Sequence, residues 1–181
     1  MIELGKKQTL LIVKSVEFGV YLAEDMNADT KHQVLLPAKQ VPAGTKAGDK
    51  LEVFIYKDSQ DRLIATTNEP LLMVGQAGLL KVKQVTRIGA FLDWGLDKDL
   101  FLPFKEQIYK VKKGEVIPVM LYLDKSYRPA ATMYVYNNLK TGGGYVKDSA
   151  VSGTVIRINP EIGVFVAVDD KYYGMIPIRE A

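Results

Sequence analysis

The chain has 181 residues, 48% of them apolar and 25% charged, with 24 basic side chains, 21 acidic ones and no cysteine. This composition excludes a disordered or collagenous chain, a disulfide scaffold and thiolate metal sites. No apolar run approaches the roughly 18 residues of a membrane span, and the N-terminus has no signal-peptide order, so a cytoplasmic protein without a membrane partner is expected.

A β-branched run over residues 10–16 predicts the first strand. Gly19-Val20-Tyr21-Leu22 follows as the second, behind a glycine whose missing side chain suits a sharp bend or bulge. The polar run from Asp29 to Gln33 reads as a loop. It holds His32, the one histidine of the chain, as a solvated residue. Val34-Leu35-Leu36-Pro37 predicts strand three, residues 51–56 strand four, and residues 63–67 strand five after a polar turn. The whole order then recurs. Residues 79–85, Gly89-Ala90-Phe91-Leu92 and Leu100-Phe101-Leu102-Pro103 repeat strands one to three. Residues 116–123 and 130–133, around a turn at 124–128, repeat strands four and five. A third pass begins with 152–158, 163–168 and 173–176, with Asp169-Asp170 as a hairpin turn. The stretches 37–48 and 103–114 have room for only a short helical turn.

Five short, bent strands in about 60 residues match the five-stranded OB barrel. The expected fold class is therefore all-β: tandem OB barrels at residues 1–67 and 77–133, with an incomplete third at 150–181 that has only its first three strands. A further C-terminal domain or a partner chain is expected to complete that third barrel. Without one, the face of Val155, Ile158, Val164, Val166 and Val168 would lie open. The linker 68–76 is apolar enough to pack. The linker 134–149, with Gly142-Gly143-Gly144, reads as a hinge.

Catalysis has little to work with. A Ser-His-Asp or Cys-His arrangement could use only His32. Zinc would need several His or Cys ligands, and no phosphate-binding loop occurs. No enzymatic activity, metal or cofactor is expected. The positive excess lies in residues 68–133, with ten basic against seven acidic side chains, while the segments on either side balance. Lys81 and Lys83 lie two apart on one strand and should share a face. Arg87, Phe91 and Trp94 follow. Such interleaving suits single-stranded nucleic acid, since bases stack on exposed rings for about 1–3 kcal/mol each while cations track the backbone.

The recurring order is a valine-rich strand, glycine-aromatic, apolar-proline, then Gly-Asp or Gly-Glu before a long strand. It resembles the RNA-binding domain first seen in ribosomal protein S-one. Residues 78–105 and 152–180 are more closely similar to the bacterial conserved virulence factor B family, in which serial barrels of this type precede a winged helix. The resemblance covers nearly the whole chain and lacks the winged helix, so a fragment is expected. It implies binding of single-stranded RNA, with single-stranded DNA as a further ligand, and a role in post-transcriptional regulation of gene expression, virulence included.

In that family one barrel face carries two aromatics around the strand-two glycine, a histidine after strand three, and an Asp and Arg at the last hairpin. The matching residues are Phe18, Tyr21, Asp58 and Arg62 in the first repeat, and Ile88, Phe91, Asp124 and Arg128 in the second. In the third they are Ile162 and Phe165. The histidine position holds Pro37, Pro103 and Pro177. Lys14 and Arg157, on the first strands of repeats one and three, complete the expected RNA contacts with Lys81, Lys83, Arg87 and Trp94. The alternative is a protein-interaction scaffold whose barrels have lost nucleic-acid binding, which the three prolines and the neutral outer repeats allow.

Overall fold

The computed structural model describes residues 1–181. Strands β1 (Lys7–Val16), β2 (Gly19–Ala23), β3 (Val34–Pro37), β4 (Lys50–Lys57) and β5 (Leu63–Thr66) form a closed barrel in the order β1-β2-β3-β5-β4. Strands β6 (Ala77–Val85), β7 (Gly89–Asp93), β8 (Leu100–Pro103), β9 (Val116–Leu123) and β10 (Pro129–Thr132) close a second barrel of the same topology. Strands β11 (Gly153–Asn159), β12 (Gly163–Val168) and β13 (Tyr172–Pro177) form a three-stranded antiparallel sheet. The two short helical turns expected after strand three are 3₁₀ turns at Ala38–Gln40 and Phe104–Glu106.

Period-2 patterning builds the first core. Leu10 and Ile12 of β1, Val20 and Leu22 of β2, and Val34 and Leu36 of β3 all point inward and meet Val53, Ile55 and Ala65. Burying each large aliphatic contributes on the order of 1.5–3 kcal/mol. Strand β1 starts earlier than its apolar run, because Lys7, Gln8 and Thr9 pair with Phe54, Val53 and Glu52 of β4. The ladder continues there through backbone groups, with no apolar signal to mark it.

Each repeat carries a bulge at the same place. The register of β1 on β2 shifts between Ile12 and Lys14, that of β6 on β7 between Val82 and Gln84, and that of β11 on β12 between Val155 and Arg157. One extra residue flips the parity of everything after it. Val155 and Ile158 therefore share a face although they are three apart, opposite Val166 and Val164.

The glycine that opens each second strand has no substitute. Gly19, Gly89 and Gly163 sit at φ of 154°, 153° and 147°. A Cβ there would lie 2.1, 2.5 and 2.1 Å from the carbonyl oxygen of Leu36, Leu102 and Ile176 respectively. Backbone meets backbone at this point, so no side chain can move to make room.

The chain divides into two compact units. One comprises Met1–Met73 with Gly95–Lys98 and Leu123–Pro129; the other comprises Val74–Trp94, Asp99–Tyr122 and Ala130–Ala181. Within the second unit the 134–149 linker departs from the expected hinge, because its first part is packed. A short helix, α1 (Val135–Asn138), buries Val135, and Leu139 follows it into a cluster with Ala77, Met120 and Ala167. Tyr136 sets its ring edge-on to Phe165 and Tyr173, at 5.0 and 4.6 Å between centres. Backbone bonds continue the attachment: Ala77 N–H donates to Asp170 O (2.8 Å), and Lys140 bridges Lys171 and Tyr173. Apolar residues at 135 and 139, one helical turn apart, outweigh the polar composition around them. The Asp169-Asp170 hairpin forms as expected, with φ of 47° and 57°.

Candidate nucleic-acid interface

In the first repeat the bulge turns Lys14 outward, opposite Tyr21. Its Nζ lies 4.7 Å from the centre of the Tyr21 ring, a cation–π contact worth roughly 0.5–1 kcal/mol at an exposed site. Phe18, at the tip between β1 and β2, is 58% exposed and stands edge-on to Tyr21 with centres 6.5 Å apart. The tip is clamped, because Phe18 O accepts from Ala38 N–H at 2.9 Å. The pairing of Tyr21 with Leu35, and of Leu35 with Ile64, carries the same outer face across β3 to the start of β5. Arg62 lies just before that point.

The hairpin aspartates and arginines build their turns. Asp58 accepts from the N–H groups of Gln60 and Arg62 at 2.8 and 3.0 Å, and from Arg62 Nε at 2.9 Å. Asp124 does the same with Ser126, Arg128 and Arg128 Nε at 2.8, 3.0 and 3.1 Å. Partial burial pushes both carboxyls up, but the N–H donors of the turn and the guanidinium outweigh it and hold them below the usual aspartate value. Arg62 remains 71% exposed at its side chain. Arg128, 49% exposed, also stands 3.8 Å from Asp61 within the first compact unit.

The second repeat is built differently on the same frame. Gln84 takes the place of Lys14 opposite Phe91, and Phe91 leans on Phe101 with centres 5.3 Å apart. Ile88 occupies the tip, 64% exposed. Lys81 faces Asp93 across the strand pair. Lys83 sits at the bulge and pairs with Asp99 at 2.7 Å, a contact that raises its ammonium above the ordinary lysine value. Arg87 is exposed in the β6–β7 turn. Trp94, expected among the RNA contacts, is corrected: it is 2% exposed and cannot accept a base. An indole offers one of the largest apolar surfaces of any side chain, and its burial repays more than stacking at the surface.

In the third sheet Arg157 lies over the Phe165 ring at 4.5 Å, the same arrangement as Lys14 on Tyr21. Tyr136 also engages that ring, so Phe165 is half-buried among groups of its own chain. His32 is solvated as expected, its Nδ1 2.7 Å from Asp29. No three His, Cys, Asp or Glu side chains group as metal ligands, and no helix is long and apolar enough to cross a membrane.

The structure thus gathers exposed Lys14 and Phe18 around a half-buried Tyr21, and gives half-buried Phe91 no such cation. The feature missed by sequence reasoning is a bulge inside the first strand of each repeat, before the glycine, which gives Lys14, Gln84 and Arg157 equivalent positions. Its only mark in the sequence is a charged or amide side chain one residue out of phase with the apolar alternation.

The S1 domain family model matches residues 4–68 and 74–134, the two closed barrels. Uncharacterized protein YitL of Bacillus subtilis is 30% identical over 176 residues, covering 92% of this chain and 57% of the relative. Conserved virulence factor B of Staphylococcus aureus strain USA300 is 29% identical over 139 residues, covering 70% and 45%. The chain therefore spans about half the length of these relatives. A solved multidomain protein with nucleic acid binding domains from Streptococcus pneumoniae shares the fold with a TM-score of 0.60 at 21% identity, over 98% of this chain and 64% of that one. Two family matches on two barrels, and relatives aligned across most of the chain, place it in the family of tandem S1-domain proteins that includes conserved virulence factor B.

Proposed function

We propose that this protein binds single-stranded RNA across the outer β1–β2 faces of its barrels and acts in post-transcriptional control. The observation that carries this reading is the Lys14, Phe18 and Tyr21 cluster: an exposed ring beside a half-buried one, with a cation above the latter. A base stacks on the rings while the ammonium meets its phosphate, and neither step depends on sequence. Arg62 extends the face, and Lys81, Arg87 and Phe91 repeat it more weakly. Membership of a family whose solved neighbour is described as carrying nucleic acid binding domains supports the same reading.

Labelled single-stranded RNA and DNA oligonucleotides of one sequence, titrated at several salt concentrations, test it. Affinity should fall with salt at a slope near −0.7 per phosphate contact. No binding to either strand would reject it. The scaffold reading is favoured by one observation, the edge-on packing of Tyr136 against Phe165 at 5.0 Å between centres, which covers part of the third repeat's ring.

We further infer that β11–β13 are the first three strands of a third barrel. Gly153, Val155, Val164, Val166, Gly174 and Ile176 hold, by register, the positions of the first barrel's inward residues. Val155 and Ile176 are nonetheless 48% and 43% exposed. Two covering strands, from further chain or from a partner, would bury that face. Hydrogen exchange at the Val155, Val164 and Val166 amides should then slow in a longer chain.

A further inference from the structure

The positive charge of this protein has an address that the strand faces do not explain. Residues 104–113 carry Lys105, Lys110, Lys112 and Lys113 against Glu106 alone, which leaves twenty basic and twenty acidic side chains for the remainder. All four lysines are exposed and none forms an ion pair. The matching connection of the first barrel is unlike it: Lys39 is paired with Asp97 at 2.8 Å, and no aromatic residue occurs between Ala38 and Gly48.

The segment is also held in shape. Gln107 is buried and donates through Nε2 to Leu102 O at 3.2 Å, while Val111, one further anchor, is 4% exposed. Glu106 O accepts from Met133 N–H at 2.9 Å, which ties the segment to the end of β10. Between the anchors, Phe104, Ile108 and Tyr109 face solvent at 43%, 62% and 52% exposure. With Gln107 and Lys110 they line an open cleft of ≈ 400 Å³. Three apolar side chains held outward on a fixed connection form an apolar floor with Lys110 in its lining, and three further unpaired ammonium groups lie on the same segment.

We propose that this β8–β9 connection is a second single-strand contact site, on a different segment from the β6–β7 face, in which a base stacks on Tyr109 and the four lysines follow the phosphates. Charge complementarity selects the occupant. An apolar protein segment would not call for four ammonium groups around it, whereas a nucleic-acid strand brings one phosphate per nucleotide and a flat ring to each. The proposal rests on the reading of this protein as a single-strand binder and adds where a long strand continues once the strand faces are filled.

Fluorescence anisotropy of the intact protein with a labelled mixed-sequence single-stranded RNA, roughly 20 nucleotides so as to span more than one contact site, decides it. The variant Lys105→Gln/Lys110→Gln/Lys112→Gln/Lys113→Gln should bind about tenfold or more weakly at low salt, and its salt slope should flatten by about 2 to 3. The same four positions changed to Arg should keep wild-type affinity. Tyr109→Ala should weaken binding and Tyr109→Phe should not. All of these positions are exposed, so an unchanged thermal midpoint verifies folding. If the quadruple Gln variant or Tyr109→Ala binds as wild type, the proposal is overturned; a loss of affinity in Phe18→Ala/Tyr21→Ala then leaves the reading of this protein as a single-strand binder standing. If wild-type protein binds no RNA, the single-strand reading itself falls and takes this site with it.

Discussion

The two closed barrels share topology, bulge position and turn chemistry, yet differ in what their outer faces offer. The first places Lys14 over Tyr21 and puts Phe18 at the tip. The second has Gln84 and Ile88 in those places, and its Phe91 leans on Phe101. Its charge has moved to the β8–β9 connection. The frame is thus set by a few residues that cannot change, a glycine against a carbonyl and an aspartate inside a turn. The proposed ligand surface is set by residues the frame does not constrain. Barrels of one ancestry can divide the work of a binding surface without altering a strand.

The largest effects should come from the shared frame. Gly19→Ala and Gly89→Ala each push a Cβ into a backbone carbonyl and should cost about 4 kcal/mol, read by denaturant unfolding. Gly163→Ala carries the same clash but should loosen only the β11–β13 sheet, seen as faster hydrogen exchange confined to that sheet. Equal, global losses from all three would contradict the independence of the repeats.

A sharper division is expected in binding. Tyr21→Ala should lose about 1–3 kcal/mol of single-stranded RNA affinity. Phe91→Ala should lose less, since Gln84 rather than a cation stands opposite its ring. A larger loss at Phe91 in a titration of both variants would reverse the ranking of the barrels.

The turns test what the barrels hold in common. Removing the carboxylate in Asp58→Ala or Asp124→Ala deletes several hydrogen bonds and should cost about 1–2 kcal/mol each. Both carboxyls are depressed in the folded protein. Their contribution is therefore present above the unfolded aspartate value of about 3.9 and is lost as pH falls through the lower folded value. Acid unfolding of either variant should show a weaker pH dependence in that window than the wild type. The smallest effect is a gain: Gln84→Arg should return a cation to the Phe91 ring and raise affinity by roughly 0.5 kcal/mol.

Much of this is legible in the sequence alone. The strands follow from alternation in runs such as 51–56 and 116–123, and the threefold order follows from Gly19, Gly89 and Gly163. The Asp-to-Arg spacing of the hairpins marks the turns, although not the bonds inside them. The bulges were hidden because Ile12-Val13-Lys14 reads as an unbroken strand, and an extra residue leaves no composition signal. Trp94 reads as a stacking ring because it follows Lys81, Lys83, Arg87 and Phe91 in a basic and aromatic interleaving, whereas its spacing sets it in phase with buried Leu92. The packing of Val135 and Leu139 was masked by the glycine run a few residues later. The lysines of 105–113 make up the second repeat's excess, but that they sit on one anchored connection is visible only once β8 and β9 are placed.

The burial of Trp94 has a practical corollary. It is the sole tryptophan among ten tyrosines, and it is shielded from solvent. Its emission should be blue-shifted and deaf to iodide or acrylamide quenching until the neighbourhood of residue 94 opens. Circular dichroism, by contrast, sums over every strand. Melting followed by both signals would separate the release of that one locality from the loss of the barrels, with no label attached.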